Sequence, residues 1–210
     1  MGAVEPERGP RVVFLGPPGS GKGTQAARLS EDLDVATIST GDMLRAAVAA
    51  GSELGRRVES IMSSGALVGD DTMAEVVRDR LSQPDARSGF ILDGYPRTAA
   101  QAETLGEILQ DQGVELDHVL LLEVPEDELI ERMSHRADVE RRADDRAEVV
   151  RERLQVYREN TQPLIELYRQ QGLLRRIDGD RPIDEVAASL RAVFDRADGT
   201  SENERNRSER

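Results

Sequence analysis

A chain of 210 residues, 38% hydrophobic and 33% charged, is sized for one substantial core with small insertions and is cramped for two full domains. Its formal net charge of −13 argues against non-specific nucleic-acid binding, which needs clustered positive charge. The absence of cysteine excludes a disulfide framework, a thiolate nucleophile and a cysteine-ligated structural zinc.

The two histidines, His118 and His135, cannot supply a histidine-rich metal site, and with aromatics at 3% the core must be aliphatic. No apolar run approaches the roughly 18 residues of a membrane span. The N-terminus MGAVEPERGPR has no secretory apolar region, so the expectation is a cytoplasmic protein without a membrane partner.

Residues 1–10, rich in Gly, Pro and Glu, and residues 197–210, ADGTSENERNRSER, are expected to be flexible ends, the latter disordered. Between them short apolar runs alternate with helical periodicity. RVVFLG reads as a strand, followed by a helix over 23–33. VATIST is the next strand, with helices over 42–50, 52–65 and about 70–82. GFILDGY precedes a helix over 98–112, and HVLLLEV precedes helices over 126–135 and 145–169. LLRRID and a helix over 182–196 close the pattern. Such alternation indicates an α/β fold, and continuously apolar strands indicate a sheet covered on both faces. In the long helix, Val150, Leu154, Tyr157, Leu164 and Tyr168 form a stripe best read as core packing. Pro163 is expected to kink that helix or interrupt its hydrogen-bond ladder.

Chemistry enters at Gly16-Pro17-Pro18-Gly19-Ser20-Gly21-Lys22-Gly23-Thr24, between a strand and a helix. The run contains G-x-x-x-x-G-K, with Gly23 where the commonest phosphate loop has Ser or Thr, and Thr24 one place later. Glycines let successive N–H groups turn toward phosphate oxygens, and the helix start adds its positive dipole end. Lys22 is the only lysine in the chain; every other basic side chain is arginine. A compact ammonium reaching the β- and γ-phosphates is not reproduced by the broader planar guanidinium, which accounts for a lysine at this one position. A chance lysine in a glycine-rich turn is the bland alternative, disfavoured by the strand before it and the helix after it.

A phosphate loop alone does not separate a kinase from an ATPase, a GTPase or a nucleotide sensor. Three further segments narrow the choice: Ser39-Thr40-Gly41-Asp42-Met43-Leu44-Arg45, then Asp93-Gly94-Tyr95-Pro96-Arg97 with Gln101 following, and the series Arg132, Arg136, Arg142 and Arg153. GPPGSGKGT, STGDMLR and DGYPRT, in this order and spacing, resemble the adenylate kinase family of nucleoside monophosphate kinases. The resemblance runs from about Arg11 to Arg196.

That resemblance implies a P-loop NTPase fold with a parallel five-stranded sheet in the order 2-3-1-4-5. It also implies an AMP-binding insert at about 39–68 and a lid at about 125–145, within one kinase domain over 11–196. The reaction implied is ATP + AMP ⇌ 2 ADP with Mg²⁺, performed by a monomer. Gly19, Ser20, Gly21, Lys22, Gly23 and Thr24 would cradle ATP. Arg45 and Arg97 would hold the AMP phosphate, with Gly94, Tyr95 and Pro96 beside it. Arg136, Arg142 and Arg153 would come over the transferring group. Taken singly, Arg132 or Arg136 could equally be a surface ion-pair residue.

Asp93 matches the acid that holds water on Mg²⁺, although a carboxylate at a strand end also serves as a turn residue. Asp144 and Asp145 match an acidic pair that orients lid arginines, and could also cap the following helix. Thr40 and Gln101 follow the adenylate pattern, where uridylate/cytidylate kinases typically carry Ala and Asn. The Gln101 amide would pair with the adenine edge, with backbone of Ala66, Leu67 and Val68 completing the pocket. The loop Asp178-Gly179-Asp180-Arg181 would lie along the ATP adenine, with Arg181 assigned to ATP. The short arginine-rich link before position 145 implies a short lid without a zinc-bearing domain. Another monophosphate kinase of the UMP/CMP type, or a catalytically silent nucleotide-binding regulator, are the alternatives.

Overall fold

A computed structural model describes the backbone of residues 8–140 and 147–208. Five strands form one parallel sheet: β1 (Arg11–Leu15), β2 (Ala36–Ser39), β3 (Phe90–Asp93), β4 (His118–Glu123) and β5 (Leu174–Asp178), in the order β2-β3-β1-β4-β5. The fold class and strand order therefore match the expectation. At the centre Val13 stands opposite Leu92 on one side and Val119 on the other. All five residues of β1 are buried, as a strand between two neighbours and beneath helices on both faces must be.

The two-residue period of the strands sorts their side chains into two cores. Val13, Leu15, Leu92, Val119 and Leu121 face one side with Leu44, Val58, Val77, Leu105 and Tyr168. These come from α2 (Thr40–Ala49), α3 (Glu53–Ser64), α4 (Asp70–Leu81), α6 (Ala99–Asp111) and α9 (Leu164–Gln170). Val12, Phe14, Ile91, Leu120 and Leu122 face the other, covered by Ala26 and Leu29 of α1 (Lys22–Leu33) and Val186 and Leu190 of α10 (Ile183–Ser208). A third, small cluster joins Leu129 and Met133 of α7 (Glu126–Glu140) to Val150 and Leu154 of α8 (Ala147–Val156).

Four local features depart from the sequence reading. A short helix, α5 (Pro84–Arg87), precedes β3, opened by a proline at its first turn, where the missing N–H is no loss. The expected helix over 145–169 is two helices joined by a π-helical turn, Tyr157–Thr161, whose wider ladder lets Gln162 N–H donate to Tyr157 O at 2.9 Å. Pro163 falls where the ladder is interrupted, as expected, and stands as the N-cap of α9. Helix α7 runs to Glu140, past the end expected at 135. Residues 197–208, expected to be disordered, continue α10 to Ser208.

Because all strands run the same way, the segments after Leu15, Ser39, Asp93, Glu123 and Asp178 emerge along one edge. Connections from β1 and β3 pass to opposite faces, opening a crevice at the carboxyl ends of the central strands, where open α/β sheets bind ligands.

Candidate active site

The loop after β1 turns sharply at Gly16, φ +144°, where a Cβ would lie 2.7 Å from Leu122 O. Only glycine allows this approach to β4. Helix α1 follows with Gly21 as its N-cap and no side-chain cap, so no side chain competes for its first N–H groups. Gly19 to Thr24 line a cleft of about 990 Å³, at the upper end of the roughly 300–1,000 Å³ usual for small-molecule sites.

Lys22 lies half-buried on the cleft floor. Its Nζ donates to Gly16 O and Pro17 O, both at 2.8 Å, and to Ser20 Oγ at 3.4 Å. Burial, with Arg97, Arg153 and Arg136 around it, lowers its pKa from 10.5 to about 8 against the opposing pull of Asp93. Asp93 ends β3 close by: a Cβ on Gly23 would sit 3.6 Å from its Oδ2.

Separate elements bring arginines to the same cleft: Arg45 from α2, Arg97 from the loop after β3, Arg132 and Arg136 from successive turns of α7, Arg153 from α8, and Arg181 from the loop before α10. Local positive charge thus gathers in a chain that is strongly negative overall. Arg142, Asp144 and Asp145 lie outside the described residues.

Next to the cleft, and sharing Arg45, Gly94, Arg97 and Arg153 with it, is a smaller pocket lined by Thr40, Ala66, Leu67, Val68 and Gln101. Thr40 is buried and donates to Asp93 O at 3.3 Å. Among its contacts, the Arg97 Nε donates to Gly94 O at 2.8 Å, its main-chain N–H to Gln101 Oε1 at 2.8 Å, and its carbonyl accepts from Thr161 Oγ1 at 2.9 Å. Gly94, at φ +84°, leaves the room between Thr40 and Arg97 that this needs. Arg45 pairs with Asp42 at 2.5 Å on α2, whose N-cap Ser39 accepts from Asp42 N–H at 3.3 Å.

Of the described residues given a site role from the sequence, all but Tyr95, Asp178 and Asp180 line one of these two spaces. Pro96 reaches the cleft, but the Tyr95 side chain turns into the core at 1% exposure, where burial pushes its phenol up to about 12. Two further cleft residues, Thr161 and Gln25, were not singled out from the sequence, and Arg132 was named there in the arginine series without a role of its own. Arg132 donates to Glu128 Oε1 at 2.6 Å and to Gly179 O at 3.0 Å, tying α7 to the loop after β5. Its one sequence signal is the four-residue spacing to Arg136. Thr161 depends on the π-helical turn. Gln25, 3% exposed, donates to Ile183 O at 3.0 Å and so joins α1 to α10.

A model of the adenylate kinase family matches residues 14–173. A protein of Thermobifida fusca named adenylate kinase is 53% identical over 84% of this chain and 93% of its own length. Proteins of the same name from Stenotrophomonas maltophilia and Thermus thermophilus are 51% and 50% identical, over 88% and 89% of this chain and 98% and 97% of theirs. The matched span begins inside β1 and closes one residue short of β5, taking in the smaller pocket and the cleft except for the side formed by Gly179, Arg181 and the start of α10. On that evidence the chain belongs to the adenylate kinase family.

Proposed function

We propose that the protein transfers the terminal phosphoryl group of ATP to AMP, giving two ADP, with the glycine-rich loop holding the donor and the smaller pocket the acceptor. The observation that carries this reading is the pair of adjoining pockets meeting at Arg97 and Arg153, whose charges act on Lys22 in the larger of them. A one-nucleotide hydrolase has no use for the second pocket. The names of relatives about half identical over most of the chain support the same activity.

In this reading an oxygen of the AMP phosphate attacks the γ-phosphorus as the bond to the β–γ bridging oxygen breaks. The acceptor phosphate is already ionised near neutral pH, so no general base is required. The chain's contribution is placement and charge stabilisation. Loop N–H groups and Lys22 Nζ hold the β- and γ-phosphates. Arg45 and Arg97 hold the acceptor phosphate, and Arg136, Arg142 and Arg153 close over the group in flight. Arg132 and Arg181 flank the donor base. Gln101 meets the acceptor base, with Thr40 and the backbone of Ala66, Leu67 and Val68 around it.

The residues present suit Mg²⁺ delivered with the nucleotide. Asp93 is a single carboxylate beside the loop, and among the described residues no group of three or more potential metal ligands occurs. Such a site fits an ion that keeps most of its water and is held chiefly by phosphates. When bound it would neutralise charge on the β- and γ-phosphates, and Asp93 would orient it through water.

The insert at about 39–68 and the lid at about 125–145 would close over the two nucleotides and exclude water. We further assign a cytoplasmic monomer. Among the described residues no helix is long and apolar enough to cross a membrane.

The deciding experiment is a coupled assay of ADP formation from ATP with AMP, UMP, CMP or dTMP as acceptor. AMP should be preferred. Equal rates with CMP would overturn the base assignment, and no turnover with any acceptor would leave a nucleotide-binding regulator. Arg97→Ala should raise the KM for AMP much more than that for ATP.

A further inference from the structure

Beside the smaller pocket, Gln101 is almost completely buried, at 2% exposure, and both ends of its amide are engaged. Its Oε1 accepts from Arg97 N–H at 2.8 Å, and its Nε2 donates to Asp70 Oδ1 at 2.8 Å. Thr98 closes the circuit. Its hydroxyl accepts from Gln101 N–H at 3.1 Å, as the N-cap of α6, and donates to Asp70 Oδ1 at 3.1 Å. Asp70 is the first residue of α4, 31 positions from Gln101, and belongs to none of the motifs around the phosphates.

We propose that Asp70 selects the purine taken by the acceptor pocket, by locking the Gln101 amide in one of its two orientations. This rests on the reading of Gln101 as the residue that meets the acceptor base.

The argument is one of polarity. A main-chain N–H only donates and a carboxylate only accepts, so Arg97 and Asp70 together demand oxygen on one side of the amide and nitrogen on the other. A flipped amide would set Oε1 against the Asp70 carboxylate and Nε2 against the Arg97 N–H, exchanging two hydrogen bonds for two repulsive contacts in a buried site. The locked amide retains one N–H and one lone pair for a ligand. A 6-aminopurine complements them, donating from N6 and accepting at N1. A 6-oxopurine presents the inverse pattern, accepting at O6 and donating from N1, and would need the flipped amide. Discrimination of this kind is strong because a mismatch leaves buried polar groups unpaired.

Asp70→Asn keeps the shape while supplying both a donor and an acceptor, so either amide orientation becomes possible. With ATP as donor, the ratio of kcat/KM for AMP to that for IMP should fall by about tenfold or more, part of the change coming from a gain with IMP. Asp70→Ser, whose hydroxyl also both donates and accepts, carries the same expectation if the first variant folds poorly. The KM for ATP and the melting temperature are recorded alongside. Equal losses with AMP and IMP would make Asp70 merely structural and overturn the proposal. A Gln101→Ala arm separates the two levels of inference. If it leaves the AMP/IMP ratio unchanged, Gln101 does not read the base and the underlying assignment fails. If it collapses the ratio while both Asp70 variants preserve it, Gln101 reads the base without Asp70 and only the present proposal fails.

Discussion

Lys22 should take up a proton when the triphosphate binds. Burial, and the guanidiniums of Arg97, Arg153 and Arg136, lower its pKa from 10.5 to about 8, with Asp93 opposing. That difference corresponds to about 3 kcal/mol of penalty on the charged form. A bound triphosphate reverses the local field and restores the ammonium, so at pH 8 binding should draw in about half a proton per site. Affinity should be flat below about pH 7 and fall above pH 8, approaching tenfold per pH unit, because the binding-competent ammonium becomes scarce.

The assay is titration calorimetry with ATP alone, near pH 8, in two buffers of different ionisation enthalpy, with Lys22→Met as the control. Linkage gives a second readout. Between about pH 8 and 10.5 the unfolded chain holds the Lys22 proton while the folded chain has released it, so the stability of the unsubstituted protein should rise across that window relative to Lys22→Met. Proton uptake that is absent, or equally present in Lys22→Met, would refute the assignment of the titrating group.

Lys22→Arg should lower kcat by about a hundredfold or more while the melting temperature stays within a few degrees, since the guanidinium cannot occupy the point held by three short-range acceptors. A near-normal kcat would refute the geometric account of the single lysine. Gly94→Ala places a Cβ 2.7 Å from Thr40 Oγ1 at a residue with φ +84°; denaturant unfolding should reveal a loss of about 1–3 kcal/mol, with a raised KM for AMP. Leu92→Ala, at a fully buried position in the middle of the sheet, should cost about 2–5 kcal/mol in unfolding free energy and leave the KM for both nucleotides within about twofold at temperatures where the protein stays folded.

The parallel sheet and the phosphate loop were legible in the sequence because each is written in short-range terms. RVVFL and HVLLLE are apolar at every interior position, which suits strands buried on both faces, and the glycines of GPPGSGKGT answer to backbone geometry within the loop itself. The arginines were legible as candidates, but their convergence was not. Arg132 binds the carbonyl of Gly179 across 47 positions, and Thr161 reaches Arg97 across 64, through a π-helical turn that no periodicity announced. Nor did anything in the chain order place Asp70 against Gln101. By itself the sequence determined the strands, the order of the motifs and the kind of phosphate chemistry. The packing of α4 against α6, and of α7 against the loop after β5, decided which polar groups meet, because a hydrogen bond between distant residues exists only where the helices bearing them are brought together.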